Sequence, residues 1–279
     1  MTVESGRARR CGVLGDPIAH SLSPVLHRAA YAELGLNWTY DADRVPSGGL
    51  ATFLDGLGPE WRGLSLTMPL KREALGLVDR LTDRARLAGA VNTLLLGEHG
   101  SERVGDNTDF PGAAAAIRER TTTSLASAVF LGGGATASSI GLALLDLGVR
   151  SIEVLVRDEV RAAETVQVLR AHPVGAEVRT GRLDAPDALR ADIAVSTIPA
   201  DAQDAALLAR CAGVPVVFEA LYDPWPTPLA AAARDRTLIS GLDLLVHQAA
   251  MQFDLFTGLQ APLETMRDAG RTALAERSA

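Results

Sequence analysis

A glycine-rich turn between two apolar segments most narrows the folds open to this chain. Residues 128–131 predict a strand, Gly132-Gly133-Gly134-Ala135-Thr136-Ala137 follows as the turn, and a helix is predicted to run on to Leu147. Gly132-x-Gly134-x-x-Ala137 in this position matches the fingerprint of dinucleotide-binding βαβ units. The first glycine permits the tight turn, the second lets the backbone approach a pyrophosphate, and the small third residue lets helix and strand pack closely. The alternative is a glycine turn in an α/β domain that binds no nucleotide.

The residues after the next predicted strand bear on which dinucleotide would bind. Apolar residues alternate over residues 152–156, Arg157 follows, and Arg161 comes one helical turn later. An acid at this place accepts a hydrogen bond from the ribose 2′-OH of NAD, whereas two guanidinium groups suit the 2′-phosphate of NADP. Asp158 is a contrary signal because it favours a plain ribose, and both arginines could be solvated surface residues. The pattern favours NADP and leaves NAD open.

The rest of the chain predicts an α/β fold. Short apolar segments bounded by Gly and Pro alternate with helical segments, which indicates parallel strands joined by crossovers. Further strands are predicted at residues 11–14, 38–45, 64–67, 93–96, 102–105, 193–198, 214–219 and 237–239, with a hairpin turn at residues 97–100. The first helix is predicted to run to Leu34, with Ser23 as N-cap, Pro24 at the first helical position and Gly35 as the stop signal.

Two domains are expected. The composition changes at Asp109, where a helix to Arg120 and a polar run lead into the βαβ unit with the glycine turn. Apolar residues at helical spacing predict a long helix over residues 241–259, which is expected to return to the first domain. The predicted domains are therefore residues 1–108 with 241–279, and residues 109–240.

Composition excludes several functions. The formal net charge is −7, the pI is near 5.3, and no block of five basic residues occurs, so nucleic acid and anionic membranes are not expected partners. Residues 121–145 carry no charge, but the glycine turn splits them, so they predict strand, turn and helix rather than a membrane span. With two distant cysteines, Cys11 and Cys211, and no apolar signal segment near the start, a cytoplasmic, reducing location is expected. The histidines show no ligand spacing, so no metal is expected.

Lys71 is the only lysine, and every other basic residue is arginine. Chance in an arginine-rich composition is one explanation. The other is chemical, because an arginine stays protonated in proteins whereas a lysine amine can exchange protons. Lys71 is therefore a candidate for acid–base chemistry.

The predicted first domain concentrates short polar side chains at loops and strand ends. They are Ser21, Ser23, Thr67, Lys71, Asn92 and, at the domain boundary, Asp109. Each has an ordinary explanation as a cap or turn residue. Together, beside a nucleotide domain, they predict a site for a small polyhydroxylated ligand at the carboxyl ends of the strands.

Seven segments resemble the shikimate dehydrogenase family in order and spacing over almost the whole chain. They are residues 15–24 (GDPIAHSLSP), 67–71 (TMPLK), 89–93 (GAVNT), 105–109 (GDNTD), the glycine turn, Tyr222 with 226–228 (PTP), and 241–248 (GLDLLVHQ). The resemblance implies two open α/β domains: a split N-terminal and C-terminal substrate domain, and an inserted Rossmann-type nucleotide domain. It implies NADPH-dependent reduction of 3-dehydroshikimate to shikimate in aromatic amino-acid biosynthesis. We expect the protein to be a monomer or a homodimer.

The resemblance also implies roles for particular residues. Lys71 and Asp109 would form the catalytic pair. The substrate would contact Ser21, Ser23, Thr67, Asn92, Asp109, Tyr222 and Gln248, and the cofactor would contact Gly132, Gly133, Gly134, Ala135, Arg157, Arg161 and Gly241. A buried amide such as Gln248, on a largely apolar helix, needs hydrogen-bond partners, which suits a ligand contact.

Three departures from the family pattern leave alternatives open. Ser65 stands where the family commonly has Asn, residues 156–158 (VRD) replace Asn-Arg-Thr, and residues 195–199 (VSTIP) replace an Asn-Ala-Thr segment. The alternatives are a paralogue that acts on quinate or an aminated shikimate and uses either NADP or NAD, and a nucleotide-sensing regulatory protein. Lys71 and Asp109 argue against the sensor, because a sensor needs no proton-transfer pair.

Overall fold

The computed structural model describes residues 8–97 and 102–278. It divides into two compact units, Met1–Thr108 with Leu245–Ala279, and Asp109–Leu244. We call these the first and the second unit. The return to the first unit falls inside a helix, whereas the sequence analysis placed it at residue 241.

The strands, in chain order, are β1 (Arg9–Gly15), β2 (Trp38–Arg44), β3 (Trp61–Leu66), β4 (Arg80–Leu81), β5 (Thr93–Leu96), β6 (Arg103–Asp106), β7 (Ser127–Leu131), β8 (Ser151–Val156), β9 (Glu177–Arg182), β10 (Ile193–Ser196), β11 (Val216–Glu219) and β12 (Thr237–Ser240). The α-helices are α1 (Ser23–Glu33), α2 (Leu50–Asp55), α3 (Leu70–Glu73), α4 (Asp83–Ala88), α5 (Asp109–Arg120), α6 (Ala135–Asp146), α7 (Glu159–Arg170), α8 (Ala205–Cys211), α9 (Pro228–Ala232), α10 (Gly241–Thr257) and α11 (Leu263–Ser278).

The first unit is built on a mixed sheet with the strand order β2-β1-β3-β5-β6-β4. Strands β1, β2 and β3 are parallel, as the sequence predicts, whereas β5 runs antiparallel to both β3 and β6. The hairpin predicted around residues 97–100 is flanked by this β5–β6 pair, and residues 98–101 lie outside the described residues. Leucines at 14, 50, 64 and 94 are fully buried in the core of this unit.

Helix α1 begins differently from the prediction. Its N-cap is Leu22, which makes no side-chain cap bond, and Ser23 is already helical, so the assignment of Ser23 as N-cap is wrong. Pro24 still falls in the first turn, where its missing N–H leaves no intrahelical bond unmade. The Ser21 hydroxyl accepts a hydrogen bond from the Ser23 N–H at 3.3 Å, so Ser21 serves the helix start instead. The predicted stop is confirmed, because Gly35 follows the C-cap with a φ of 61°.

The second unit is a parallel sheet with the order β9-β8-β7-β10-β11-β12. Numbered within this unit, the order is 3-2-1-4-5-6, which is typical of dinucleotide-binding sheets. The order in which the strands are added reverses between β7 and β10, although all the strands are parallel. The sequence did not predict β9. This edge strand has one buried residue, Val178, among charged and small ones, so it lacks the apolar alternation of an internal strand.

Residues 121–145 contain β7, the glycine turn and most of α6, as the sequence predicts. In the part of the chain that the structure describes, no helix is long and apolar enough to cross a membrane. Both cysteines are buried free thiols, and burial raises the pKa of Cys11 to about 12.

Candidate active site

The glycine turn of the second unit has the geometry that the fingerprint predicts. Gly132 has a φ of 102°, which an L side chain rarely adopts, and a Cβ there would lie 2.6 Å from Thr197 Oγ1. A Cβ on Gly133 would lie 2.7 Å from the Cβ of Ala162. Gly134 is the N-cap of α6, and no atom lies within 4 Å of where its Cβ would be. The turn therefore leaves an open approach to the start of α6, which fits a pyrophosphate group.

Thr165 holds this turn in place, and the sequence analysis missed it. Its buried hydroxyl, on α7, donates to the carbonyl oxygen of Gly133 at 2.8 Å and accepts from the Ser138 hydroxyl at 2.9 Å. A threonine on the buried face of an otherwise apolar helix stripe was the available signal, because a buried hydroxyl needs a partner.

Arg157 and Arg161 are both exposed near the carboxyl end of β8. Arg157 lines a cleft of about 760 Å³ together with residues that follow β9 and β10, among them Asp184, Pro186 and Asp201. Asp158, the contrary signal for NADP, caps α7 by accepting from the Val160 N–H at 3.0 Å, and its other oxygen lies 3.6 Å from Arg161. Both oxygens of the Asp158 carboxylate therefore have partners within the protein, and neither needs a ribose hydroxyl as its partner.

Asn92 and Gln248 meet in the first unit, although 156 positions separate them. The backbone N–H of Thr108 donates to Asn92 Oδ1 at 2.7 Å, so the Asn92 NH₂ group faces Gln248 Oε1, 3.3 Å away. The Gln248 NH₂ group in turn donates to the carbonyl oxygen of Leu245 at 3.0 Å. Backbone groups therefore fix the orientation of both amides.

Gln252 extends this cluster and was also missed by the sequence analysis. Its NH₂ group donates to the Asn92 carbonyl at 3.1 Å and to Thr93 Oγ1 at 2.9 Å, and its Oε1 accepts from Ser65 at 2.7 Å. Ser65 accepts in turn from the Tyr40 hydroxyl at 2.5 Å. Ser65, the departure from the family pattern, thus has defined partners. The spacing of Gln252, one helical turn after Gln248, was the signal that could have found it.

The other predicted residues of the first unit are Thr67 just after β3, Lys71 on α3, and Ser21 and Ser23 at the start of α1. Thr67 follows Leu66, whose N–H donates to the Asn92 carbonyl at 2.7 Å. Lys71 is half-buried on α3, and its carbonyl accepts from the Val91 N–H at 2.8 Å. Backbone hydrogen bonds therefore draw the segments that carry Thr67, Lys71 and Asn92 together. Ser21 is half-buried and Ser23 is buried.

The remaining predicted residues belong to the second unit. Asp109 is buried and begins α5, directly after Thr108 of the first unit. Tyr222 is half-buried, shortly after β11. Gly241 is buried at the start of α10, where a Cβ would lie 2.6 Å from the Leu221 backbone, so the site requires glycine. Among the described residues, no group of three or more His, Cys, Asp or Glu side chains could hold a metal ion.

Comparisons with known proteins agree with this architecture. Residues 13–94 match the model of the shikimate dehydrogenase substrate binding domain, and residues 241–269 match the shikimate 5′-dehydrogenase C-terminal domain. The shikimate dehydrogenase (NADP(+)) of Methanosarcina mazei is 36% identical over 271 residues, which cover 92% of this chain and 95% of that protein.

Two solved structures are also similar over almost the full length. Shikimate dehydrogenase of Mycobacterium tuberculosis is 42% identical with a TM-score of 0.83, covering 95% of this chain and 99% of that one. Quinate dehydrogenase of Corynebacterium glutamicum, solved in complex with NAD, is 27% identical with a TM-score of 0.84, covering 95% and 100%.

The sheet order and the glycine turn define the second unit as a dinucleotide-binding domain, a fold that nicotinamide-dependent oxidoreductases use. The relatives narrow this class further. The chain belongs to the shikimate dehydrogenase family.

Proposed function

We propose that this chain catalyses the NADPH-dependent reduction of 3-dehydroshikimate to shikimate in aromatic amino-acid biosynthesis. The observation that carries the proposal is the joining of Asn92 and Gln248 in one buried cluster of the first unit. Relatives named for this reaction and this cofactor match almost the whole chain. A ring with several hydroxyl groups needs fixed donors and acceptors, and amides oriented by the backbone supply both.

The second unit would hold the cofactor. The turn at residues 132–134 and the start of α6 at Ala135 would receive the pyrophosphate, and Arg157 and Arg161 would pair with the 2′-phosphate. Gly241 would leave room for the nicotinamide half. When bound, NADPH supplies the hydride.

The first unit and Asp109 would bind the substrate and move the proton. Ser21, Ser23 and Thr67 would meet the substrate carboxylate with hydroxyl donors, while Asn92, Tyr222 and Gln248 would contact the rest of the molecule. Lys71 would give a proton to the oxygen of the ketone during reduction, and the Asp109 carboxylate would hold the amine and a substrate hydroxyl in place. The family resemblance supports these roles.

The decisive experiment is a spectrophotometric assay at about 340 nm, the absorbance of reduced nicotinamide cofactors. Shikimate and quinate are each tested with NADP and NAD. We expect the highest kcat/KM for shikimate with NADP. A higher value for quinate with NAD would move the function to that of the Corynebacterium glutamicum neighbour. Cofactor binding without turnover of either acid would favour the nucleotide-sensing alternative.

We also propose a cytoplasmic location, since both cysteines are buried thiols without a disulfide. The choice between monomer and homodimer stays a prediction, and sedimentation velocity at several protein concentrations decides it.

A further inference from the structure

Glu219 is a buried carboxyl group that has no part in the proposed proton transfer. It is the last residue of β11 and is 0% exposed. In the sheet it lies opposite Ser196 on β10 and Ser240 on β12. These are carboxyl ends of parallel strands, the edge where open α/β sheets bind their ligands.

Four neutral groups hydrogen-bond to this carboxylate, one of them the Ser196 hydroxyl on β10. The Leu221 N–H donates to Oε1 at 3.1 Å. The Gln203 side-chain amide and the Thr227 hydroxyl donate to Oε2 at 2.8 Å and 2.9 Å. Among the described residues, no Lys, Arg or His forms an ion pair with Glu219, so neutral dipoles alone hold the group.

Backbone groups fix the direction of these hydrogen bonds. Gln203 Oε1 accepts from the Leu229 N–H at 2.9 Å, so the Gln203 NH₂ group must face Glu219. Thr227 Oγ1 accepts from the Ala230 N–H at 3.1 Å, which leaves its proton for Glu219. Burial raises the pKa of Glu219, and the hydrogen bonds from its neighbours oppose that rise. An arrangement of donors alone suits the ionised form.

The Glu219 carboxylate lies on the side of the sheet where this fold binds one half of a dinucleotide. The two halves of the sheet each bind one half of the dinucleotide. Arg157 and Arg161 assign the adenosine half to the β7–β9 side, so the nicotinamide half falls to the β10–β12 side, where Glu219 lies. The oxidised nicotinamide ring carries a positive charge and the reduced ring carries none.

We propose that the buried Glu219 carboxylate tightens the binding of NADP⁺ relative to NADPH, an inference that rests on the proposed function. Glu219 is a positioning residue as well as a source of negative potential. It holds the Leu221 backbone, against which Gly241 packs. A structural role alone would weaken both cofactor forms equally, whereas a charge acts on the cationic ring only.

The test is the ratio of the dissociation constants of NADP⁺ and NADPH, measured by calorimetry for the wild-type protein and two variants. Glu219→Gln removes the charge at nearly constant volume, and Glu219→Asp keeps it. We expect Glu219→Gln to weaken NADP⁺ binding about 3- to 30-fold more than NADPH binding, the range for a unit charge several ångströms away at an intermediate dielectric constant. Glu219→Asp should keep the ratio near the wild-type value.

Adenosine 2′,5′-bisphosphate, which lacks the nicotinamide, is the control ligand, and its affinity should be the same in all three proteins. An unchanged NADP⁺ to NADPH ratio in Glu219→Gln overturns the inference. If that variant does not fold by circular dichroism, Glu219→Met combined with Gln203→Met removes the charge and its amide donor together, and the same ratio is measured. Failure of the wild-type protein to bind either cofactor form would instead overturn the proposed function.

Discussion

Asn92 donates its side-chain N–H to Oε1 of Gln248 at 3.3 Å, which ties the start of β5 to α10 in the first unit. Gln252, on the next turn of α10, adds hydrogen bonds to Asn92, Thr93 and Ser65. Asn92, which with Gln248 is proposed to contact the substrate, is therefore held in place by Gln252, which has no proposed contact with the substrate.

Gln252→Leu tests this support. It removes the acceptor of the Ser65 O–H and one donor to Thr93 Oγ1, while Ser65 still accepts from Tyr40 and Thr93 still donates to Asn92. A buried donor left unsatisfied costs about 1–3 kcal/mol. We expect a lower free energy of unfolding in urea and a raised KM for shikimate, with the NADP dissociation constant unchanged. Gln260→Leu, at an exposed position after the same helix, is the matched control. An unaltered KM would show that Gln252 supports the fold only.

Lys71→Arg tests the proton transfer. The variant keeps the positive charge, but arginine does not release its proton at working pH. General acid–base catalysis contributes on the order of 10²–10⁴-fold, so kcat should fall by that factor while the NADP dissociation constant stays the same. Arg72→Lys, at the neighbouring exposed position, should keep its kcat. If Lys71→Arg retains most of its turnover, Lys71 is not the proton donor.

Arg157→Ala and Arg161→Ala test the recognition of the 2′-phosphate. A charge-assisted contact contributes about 1.5–3 kcal/mol, so each loss should weaken NADP binding roughly 10- to 150-fold. NAD has no 2′-phosphate, and its affinity should change little. Arg190→Ala, an exposed arginine elsewhere in the second unit, is the control. Equal losses for both cofactors would contradict a specific phosphate contact.

His27 should make the first unit sensitive to acid. It is fully buried and stacked on Tyr40, with ring centroids 4.1 Å apart. Burial lowers the pKa of His27 from 6.5 to about 3, and the nearby Gln252 amide offsets this only in part. Because the folded state binds the proton less readily than the unfolded state, the contribution of His27 is complete above pH 6.5 and is lost as the pH falls from 6.5 toward 3.

The full loss would be at most about 5 kcal/mol, on roughly 1.4 kcal/mol for each pKa unit. His27→Phe keeps a ring on Tyr40 and removes the titration, so its unfolding free energy should fall less steeply over this pH range. The exposed His20→Phe should follow the wild-type slope. Parallel slopes for wild type and His27→Phe in urea unfolding at several pH values would contradict the assignment.

The sequence by itself determined the features that depend on neighbouring residues. The glycine turn at residues 132–134, the strands β7 and β8, and the stop of α1 at Gly35 follow from backbone freedom and apolar spacing, which act over a few positions. Ser21 and Ser23 both precede or adjoin Pro24 and are both residue types that cap helices. The sequence analysis chose Ser23 as the N-cap, whereas Leu22 holds that position and the Ser21 hydroxyl accepts from the Ser23 N–H.

Only the tertiary structure decided which polar groups meet. Thr165 reaches Gly133, Gln252 reaches Asn92 and Ser65, and Gln203 reaches Glu219 through hydrogen bonds between segments brought together by folding. A buried amide or carboxyl must find partners, but no local pattern says which ones, because the sheet order and the return of α10 set the distances. The family motifs name candidate residues for the site, and the long-range hydrogen bonds decide how those residues are held.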